Sequence, residues 1–338
     1  MIQSSACCVG MVKGHSHVLK NQCMRFKVLQ VDFTNLGGVF IMDISLFLQH
    51  LVNAISLGFV FGLVAVGYAL VYGVVKLVNF AHGDVFMMAA YFMFYTSLIF
   101  GAPWLSAVIL GIVLTSLLGV GIEKVAYKPL RKYPRINSLV SSIGMSFLLQ
   151  NFAVVVFGGI QRSFPVPEPM KKTLIFGEIR VQAVSIYTII FSIIVVLILT
   201  FILQKTKIGL AMRILSRDFD TARLMGINVN RTISFTFALG SALAAVSAVF
   251  WALRYPQIFP FMGQYPGSRA FIAAVVGGIG SLKGALIGGF VLGLLTVLIP
   301  AFFPEYSGYR EAFIFLLLVL VLIFKPNGLF GQEVGEKL

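Results

Sequence analysis

The length of the uncharged runs constrains this chain more than any other feature. No Asp, Glu, Lys or Arg occurs in 44–75, 85–122, 136–161, 181–204, 232–253, 270–282, 284–304 or 312–324. About 20 apolar residues cross a bilayer core as one helix. Inside a bilayer the backbone must satisfy its own polar groups, so runs of this length predict helices. Composition agrees: 59% of the 338 residues are hydrophobic and 11% are charged, against about 25% charged in a soluble domain. A chain this apolar cannot cover itself with polar surface. That excludes a soluble enzyme, a nucleic-acid module and a disordered scaffold. The predicted fold class is all-α, a polytopic transmembrane bundle of about seven to nine helices embedded in lipid.

Two runs qualify the count. The 85–122 run is too long for one helix, and Gly101-Ala102-Pro103 divides it into two antiparallel spans. The 270–282 run is short and holds Gly277, Gly278 and Gly280. It predicts a half-helix or re-entrant segment, tolerated at membrane depth only inside protein. The 312–324 run becomes long enough to span if it starts near Tyr309.

Basic residues orient the bundle, since Lys and Arg concentrate in cytoplasmic loops. The connection 123–135 carries Lys124, Lys128, Arg131, Lys132 and Arg135 against Glu123. The connection 204–231 carries Lys205, Lys207, Arg213, Arg217, Arg223 and Arg231 against Asp218 and Asp220. Both are expected inside, with the tail from Lys325. The mixed connection 162–180 lies outside, extended by Pro165, Pro167 and Pro169. The first helix then runs from outside to inside.

The domain reading is an amino-terminal extension over 1–41, a transmembrane domain over 42–331 containing the 204–231 loop, and a tail over 332–338. The extension holds Cys7, Cys8, Cys23, His15 and His17 in a spacing that matches no zinc pattern. It has no signal-peptide core. The expectation is a start placed too early, with Met42 the true start and Gly37-Gly38 encoding a ribosome-binding sequence. No metal site is expected.

Small residues at four-residue spacing let membrane helices approach closely. Gly58 and Gly62 form such a pair, and Gly277, Gly278, Gly280, Gly284 and Gly288 extend the theme. Close packing is the first reading of all of them. Catalytic constellations are absent from the sequence pattern. Beyond Met42 the histidines are His50 and His82, and Gly277–Gly284 lacks the order of a phosphate loop.

Two polar clusters stand out. Asn79-Phe80-Ala81-His82-Gly83-Asp84 enters the second span. Asn79 or Asp84 can cap that helix near the interface, or the group can belong to a translocation path, because ionisable groups in membranes are costly. Gln150-Asn151 sits mid-span, where interhelical hydrogen bonding and solute lining are both open.

In the loop 204–231, Leu210, Ile214, Leu215, Phe219, Ala222, Leu224 and Met225 recur at roughly helical spacing. Arg213, Arg217 and Arg223 share the polar face, and Gly226 and Asn228 end the helix. Such an element can dock on a cytosolic partner or lie on anionic lipid.

The loop resembles the coupling loop of ATP-binding-cassette importer permeases. More narrowly, the chain resembles the branched-chain amino-acid permease family, as its H-type inner-membrane subunit. Four stretches carry the likeness: Tyr72-Gly73 through Asn79–Asp84; Asp218 with Ala222–Ile227; Gly277–Ser281 with Gly284-Ala285 and Gly288-Gly289; and Lys325–Gly331. Asp84 stands where Glu is commoner, and the fuller importer loop pattern is missing. The resemblance implies a multi-pass subunit of a prokaryotic cytoplasmic membrane with no catalytic site of its own. It would pair with a second homologous permease, two cytosolic ATPases carrying ATP and Mg, and an external solute-binding protein. Gly209, Arg213, Asp218, Ala222, Leu224, Met225 and Gly226 would then form the ATPase-coupling contact. Urea and short-amide permeases share the motifs, so the solute stays open between these classes. A self-powered secondary transporter or channel is the alternative of another kind.

Overall fold

The computed structural model describes residues 44–101 and 103–331; the amino-terminal arm with its cysteines and the tail 332–338 lie outside the described residues. Seven helices among the described residues are long and apolar enough to cross a membrane. The polytopic all-α reading therefore holds.

The first helix, α1 (Ile44–Val75), is the hub. Over its apolar stretch 94% of residues are buried. It packs against α6 (Ala183–Lys205), α9 (Val229–Arg254), α10 (Gln264–Gly277) and α11 (Leu282–Phe302). A helix hydrophobic on every side belongs in the core of a bundle. Its glycines make the approach possible. A Cβ on Gly58 would sit 3.0 Å from the Phe290 backbone, and Cβ atoms on Gly289 and Gly293 would strike the backbone of Gly62 and Gly58. The Gly58–Gly62 pair thus meets Gly289 and Gly293 in an α1–α11 seam, while Gly284 and Gly288 pack against Gly277 and Ala273 of α10.

The long uncharged run divides between Gly101 and Pro103 as expected, although of its two helices the seven crossing candidates include just the second. Helix α2 (His82–Phe100) ends at Gly101 in the left-handed region, and α3 (Trp104–Ile122) starts after Pro103. A π-turn (Glu123–Tyr127) and a 3-10 turn (Pro129–Lys132) then lead into α4 (Arg135–Phe157). Glu123 turns inward and is 1% exposed. It pairs with Arg131 and accepts a hydrogen bond from Ser234 at 2.7 Å. An acid expected in a solvated loop is therefore a buried tie between α3 and α9.

The 162–180 connection, expected outside, is more ordered than its prolines suggest. It contains a one-turn helix, α5 (Glu168–Lys171), and a hairpin of β2 (Thr173–Phe176) with β3 (Ile179–Gln182). Its start, β1 (Arg162–Ser163), pairs antiparallel with β4 (Gln257–Ile258) ahead of α10. Backbone pairing, which proline spacing does not reveal, decides this.

The glycine-rich 270–282 run carries the second half of a short helix. Helix α10 has 14 residues, about 21 Å at 1.5 Å per residue, and stops short of a full span. Its last carbonyls are not left bare. The Leu329 N–H donates to Val276 at 2.9 Å, and the Phe330 N–H donates to Gly277 at 2.9 Å. Helix carbonyls at a C-terminus need such partners. The motif after Lys325 thus folds back to cap the half-helix. Gly278, at φ 113°, makes the turn, and a side chain there would strike Gly331. Helix α12 (Arg310–Phe324) begins where expected, and Arg269 of α10 pairs with its Glu311.

Candidate functional site

Two helix starts meet inside the bundle. The chain leaves α1 at Val75, doubles back through Lys76–Ala81, and begins α2 at His82. The His82 ring lies 3.2 Å from the Val64 carbonyl on α1. Val64 is eleven residues before the end of that helix, about 16 Å along its axis. The Asn79–Asp84 cluster therefore sits at depth and not at the interface that its place in the sequence suggests. The start of α10 arrives at the same level. A Cβ on Gly83 would sit 3.0 Å from Gly267, and a Cβ on Gly67 would sit 2.8 Å from the Gly240 carbonyl. Only glycines permit these crossings.

Neither Asn79 nor Asp84 caps α2. The cap position is Ala81, with no side-chain hydrogen bond, and α10 starts equally uncapped at Gly263. Asn79 instead accepts from the Tyr127 hydroxyl at 2.9 Å. Asp84 reaches across to α4. Its carboxylate accepts from Ser146 Oγ and from Gln150 Nε2, the latter at 2.9 Å. Gln264 Nε2 of α10 lies 3.5 Å from Gln150 Oε1. A polar thread thus joins α2, α4 and α10. Asn151 is not on it: its amide donates to the Phe147 carbonyl of its own helix, on an exposed face.

These residues line a cavity of about 370 Å³. Its polar side holds Asn79, His82, Asp84, Ser146, Gln150 and Gln264; its apolar side holds Phe80, Ile143, Phe147 and Phe271. Tyr68, Ser146 and Gln264 escape sequence reasoning, because each is a single polar residue in an apolar or loop context. Only the crossing of three helices gathers them.

At the opposite end from the hairpin, the two basic connections come together. Arg131 donates to Asn230 at 3.0 Å, and Lys128, Arg131, Lys132, Arg217 and Arg223 line one cleft of about 990 Å³. The hairpin end is marked by Gln49, whose amide donates to the Glu178 carbonyl. The helix read through 210–225 is two helices. Helix α7 (Lys207–Arg217) starts on Thr206, whose hydroxyl accepts from the Gly209 N–H at 3.1 Å. Asp218 breaks the run because it caps α8 (Phe219–Leu224), accepting from the Asp220 N–H and the Thr221 hydroxyl. A capping Asp competes for the backbone and favours a new start over continuation.

Helix α7 buries Gly209, Met212 and Leu215 and leaves Leu210 exposed. Gly209 lies against the Ile202 and Leu203 carbonyls, where a side chain has no room. Arg213 reaches the Gln204 carbonyl at 3.4 Å. In α8, Ala222 is buried, while Leu224 is 89% exposed and Met225 65%. Gly226, at φ 77°, turns the chain toward α9. The apolar face predicted as one stripe is thus divided, with part packed inward and part presented outward.

The profile of the family described as "Branched-chain amino acid transport system / permease component" matches residues 50–322. The chain is 37% identical over 310 residues to the high-affinity branched-chain amino acid transport system permease protein BraD of Pseudomonas aeruginosa, covering 87% of this chain and 99% of that protein. It is 38% identical over 304 residues to the corresponding LivH protein of Salmonella typhimurium, covering 86% and 97%. A probable LivH of Methanocaldococcus jannaschii matches at 27% over 80% of this chain and 88% of its own. With the profile spanning most of its length, this chain belongs to the permease-component family of branched-chain amino acid transport systems.

Proposed function

We propose that this chain moves branched-chain amino acids across the cytoplasmic membrane as the permease subunit of an ATP-driven importer. The observation that carries the reading is the near full-length match to BraD and LivH, both named for high-affinity branched-chain amino acid transport. Urea or an amide has no such support among those relatives. The chain would form its path with a second homologous permease. Two cytosolic ATPases would supply the energy through bound ATP and Mg, and an external binding protein would deliver solute.

The physical division of labour suits this. Gly209 and Arg213 on α7, Asp218, Ala222 and Leu224 on α8 and its cap, and Met225 and Gly226 in the turn that follows all lie at the basic end. Helix α8 offers exposed Leu224 and Met225, which an ATPase groove would cover. Nucleotide-driven closure would pull on α7 and α8. Buried Met212 and Leu215 would pass the motion to the neighbours of α7, namely α1, α6 and α9. Asn79, His82, Asp84 and Gln150 would border the path.

Reconstitution tests the reading. The complex of both permeases and both ATPases in proteoliposomes should take up leucine only with ATP inside and loaded binding protein outside. Leucine uptake driven by an ion gradient without ATP would overturn it in favour of a secondary transporter.

A further inference from the structure

Asp84 is 3% exposed. Both of its hydrogen-bond donors, Ser146 and Gln150, are neutral. No described ion pair includes it. A buried carboxylate at membrane depth without a counter-charge is expensive, and such groups pair with something when they work. Each carboxylate oxygen retains acceptor capacity beyond the single donor it has. Asp84 faces the cavity and not a protein cation.

A second group is also unsatisfied. Tyr68 is 4% exposed and lines the same cavity. Its hydroxyl has the Asn79 backbone beside it but no hydrogen bond of normal geometry among the described residues. A buried hydroxyl without a partner costs free energy that a ligand can recover. Beside it, α2 and α10 both begin without a side-chain cap. The His82 and Asp84 N–H groups at the start of α2 already donate to the Asn79 and Ala81 carbonyls, and those of Gln264 and Gly267 at α10 to Phe261 and Gly263, so what the helix starts offer an anion is the positive ends of their dipoles.

We propose that this cavity binds a zwitterionic α-amino acid, with its ammonium on Asp84 and its carboxylate between the Tyr68 hydroxyl and the uncapped start of α2. The side chain of the solute lies against Phe80, Ile143 and Phe271. The proposal deepens the importer reading and takes its solute class from it. Three features fit together. The cavity, about 370 Å³, is at the small end of small-molecule sites. Gly83, Gly263 and Gly267 contribute no side chains to its floor. The acceptor Asp84 lies on the first turn of α2, and the Tyr68 hydroxyl of α1 lines the same cavity.

The test uses the assembled complex in lipid nanodiscs, without ATP or binding protein. The three native cysteines are replaced and one is placed at Ser268, which lines the cavity and is exposed. Ligand protection of that thiol against a maleimide is read for leucine, for leucinamide, which lacks the carboxylate, and for 4-methylpentanoate, which lacks the ammonium. Leucine should protect best, leucinamide less, and 4-methylpentanoate not at all. Asp84→Asn should weaken protection by roughly tenfold or more, the loss of a charged hydrogen bond, and Tyr68→Phe by about fivefold, the loss of a neutral one. Equal protection by 4-methylpentanoate and leucine would overturn the site. So would full protection by sodium or potassium alone, or leucine protection unchanged in Asp84→Asn. If Asp84→Asn fails to assemble, the three ligands on the otherwise native site still decide. ATP-driven uptake tests the importer separately, so this protection pattern without ATP-driven uptake would sink the importer and spare the site.

Discussion

Glu123 shows what a single residue can hold together. It is buried, accepts from Arg131 and Ser234, and ties the end of α3 to α9. Arg131 in turn reaches Asn230. Removing one partner of a buried pair leaves the other uncompensated, which costs about 3–5 kcal/mol. Glu123→Ala should therefore lower stability by about 3 kcal/mol, read as thermal unfolding of the purified protein. The double variant with Arg131→Ala should recover part of that loss, because the stranded guanidinium goes with the acid. An additive double variant would show that the two side chains act independently. The sequence announced both residues as charges in a basic loop. It could not announce the pair, because the π-turn that rotates Glu123 inward has no residue signature.

Coupling belongs to the scale of the element. Helices α7 and α8 split the loop into an anchored part and a presented part. Ala222 is fully buried, and Gly226 holds a left-handed backbone that a side chain would strain. Ala222→Glu or Gly226→Glu should abolish uptake while membrane insertion persists. Leu224→Glu separates contact from folding, since that side chain is exposed. It should leave the protein as stable as the parent and reduce co-purification of the ATPases. Normal co-purification with normal uptake would remove Leu224 from the contact. The helix periodicity of this loop was legible from Leu210 onward. The break at Asp218 was readable in principle, because Asp218 with Asp220 and Thr221 just after it is a good cap. Continuous apolar spacing across it hid the signal.

Sidedness is a property of the whole molecule. Both basic connections reach one end, while Gln49 and Glu178 mark the other. Positive charge selects the cytoplasmic end. With native cysteines replaced, a cysteine at Glu178 should react with an impermeant maleimide in intact cells. A cysteine at Arg217 should react only after permeabilisation. The reverse pattern would invert the molecule. Much of this architecture followed from charge-free runs and breakers: the division at Gly101 and Pro103, the start of α12, and the shortness of the glycine-rich segment. The hairpin did not follow, since its strands pair through backbone groups that any residues supply.

The sequence by itself determined that this chain lives in a membrane, where most of its apolar helices fall, and which end is basic. Those properties are sums over local residues, and each residue contributes wherever it stands. The tertiary structure alone decided that His82 and Asp84 lie at depth beside Val64 and Gln150, that Gly58 and Gly289 share a seam, and that Leu329 caps α10. These depend on which helix faces which. That choice is set by close contact between glycines and by partners for buried polar groups far apart in the chain.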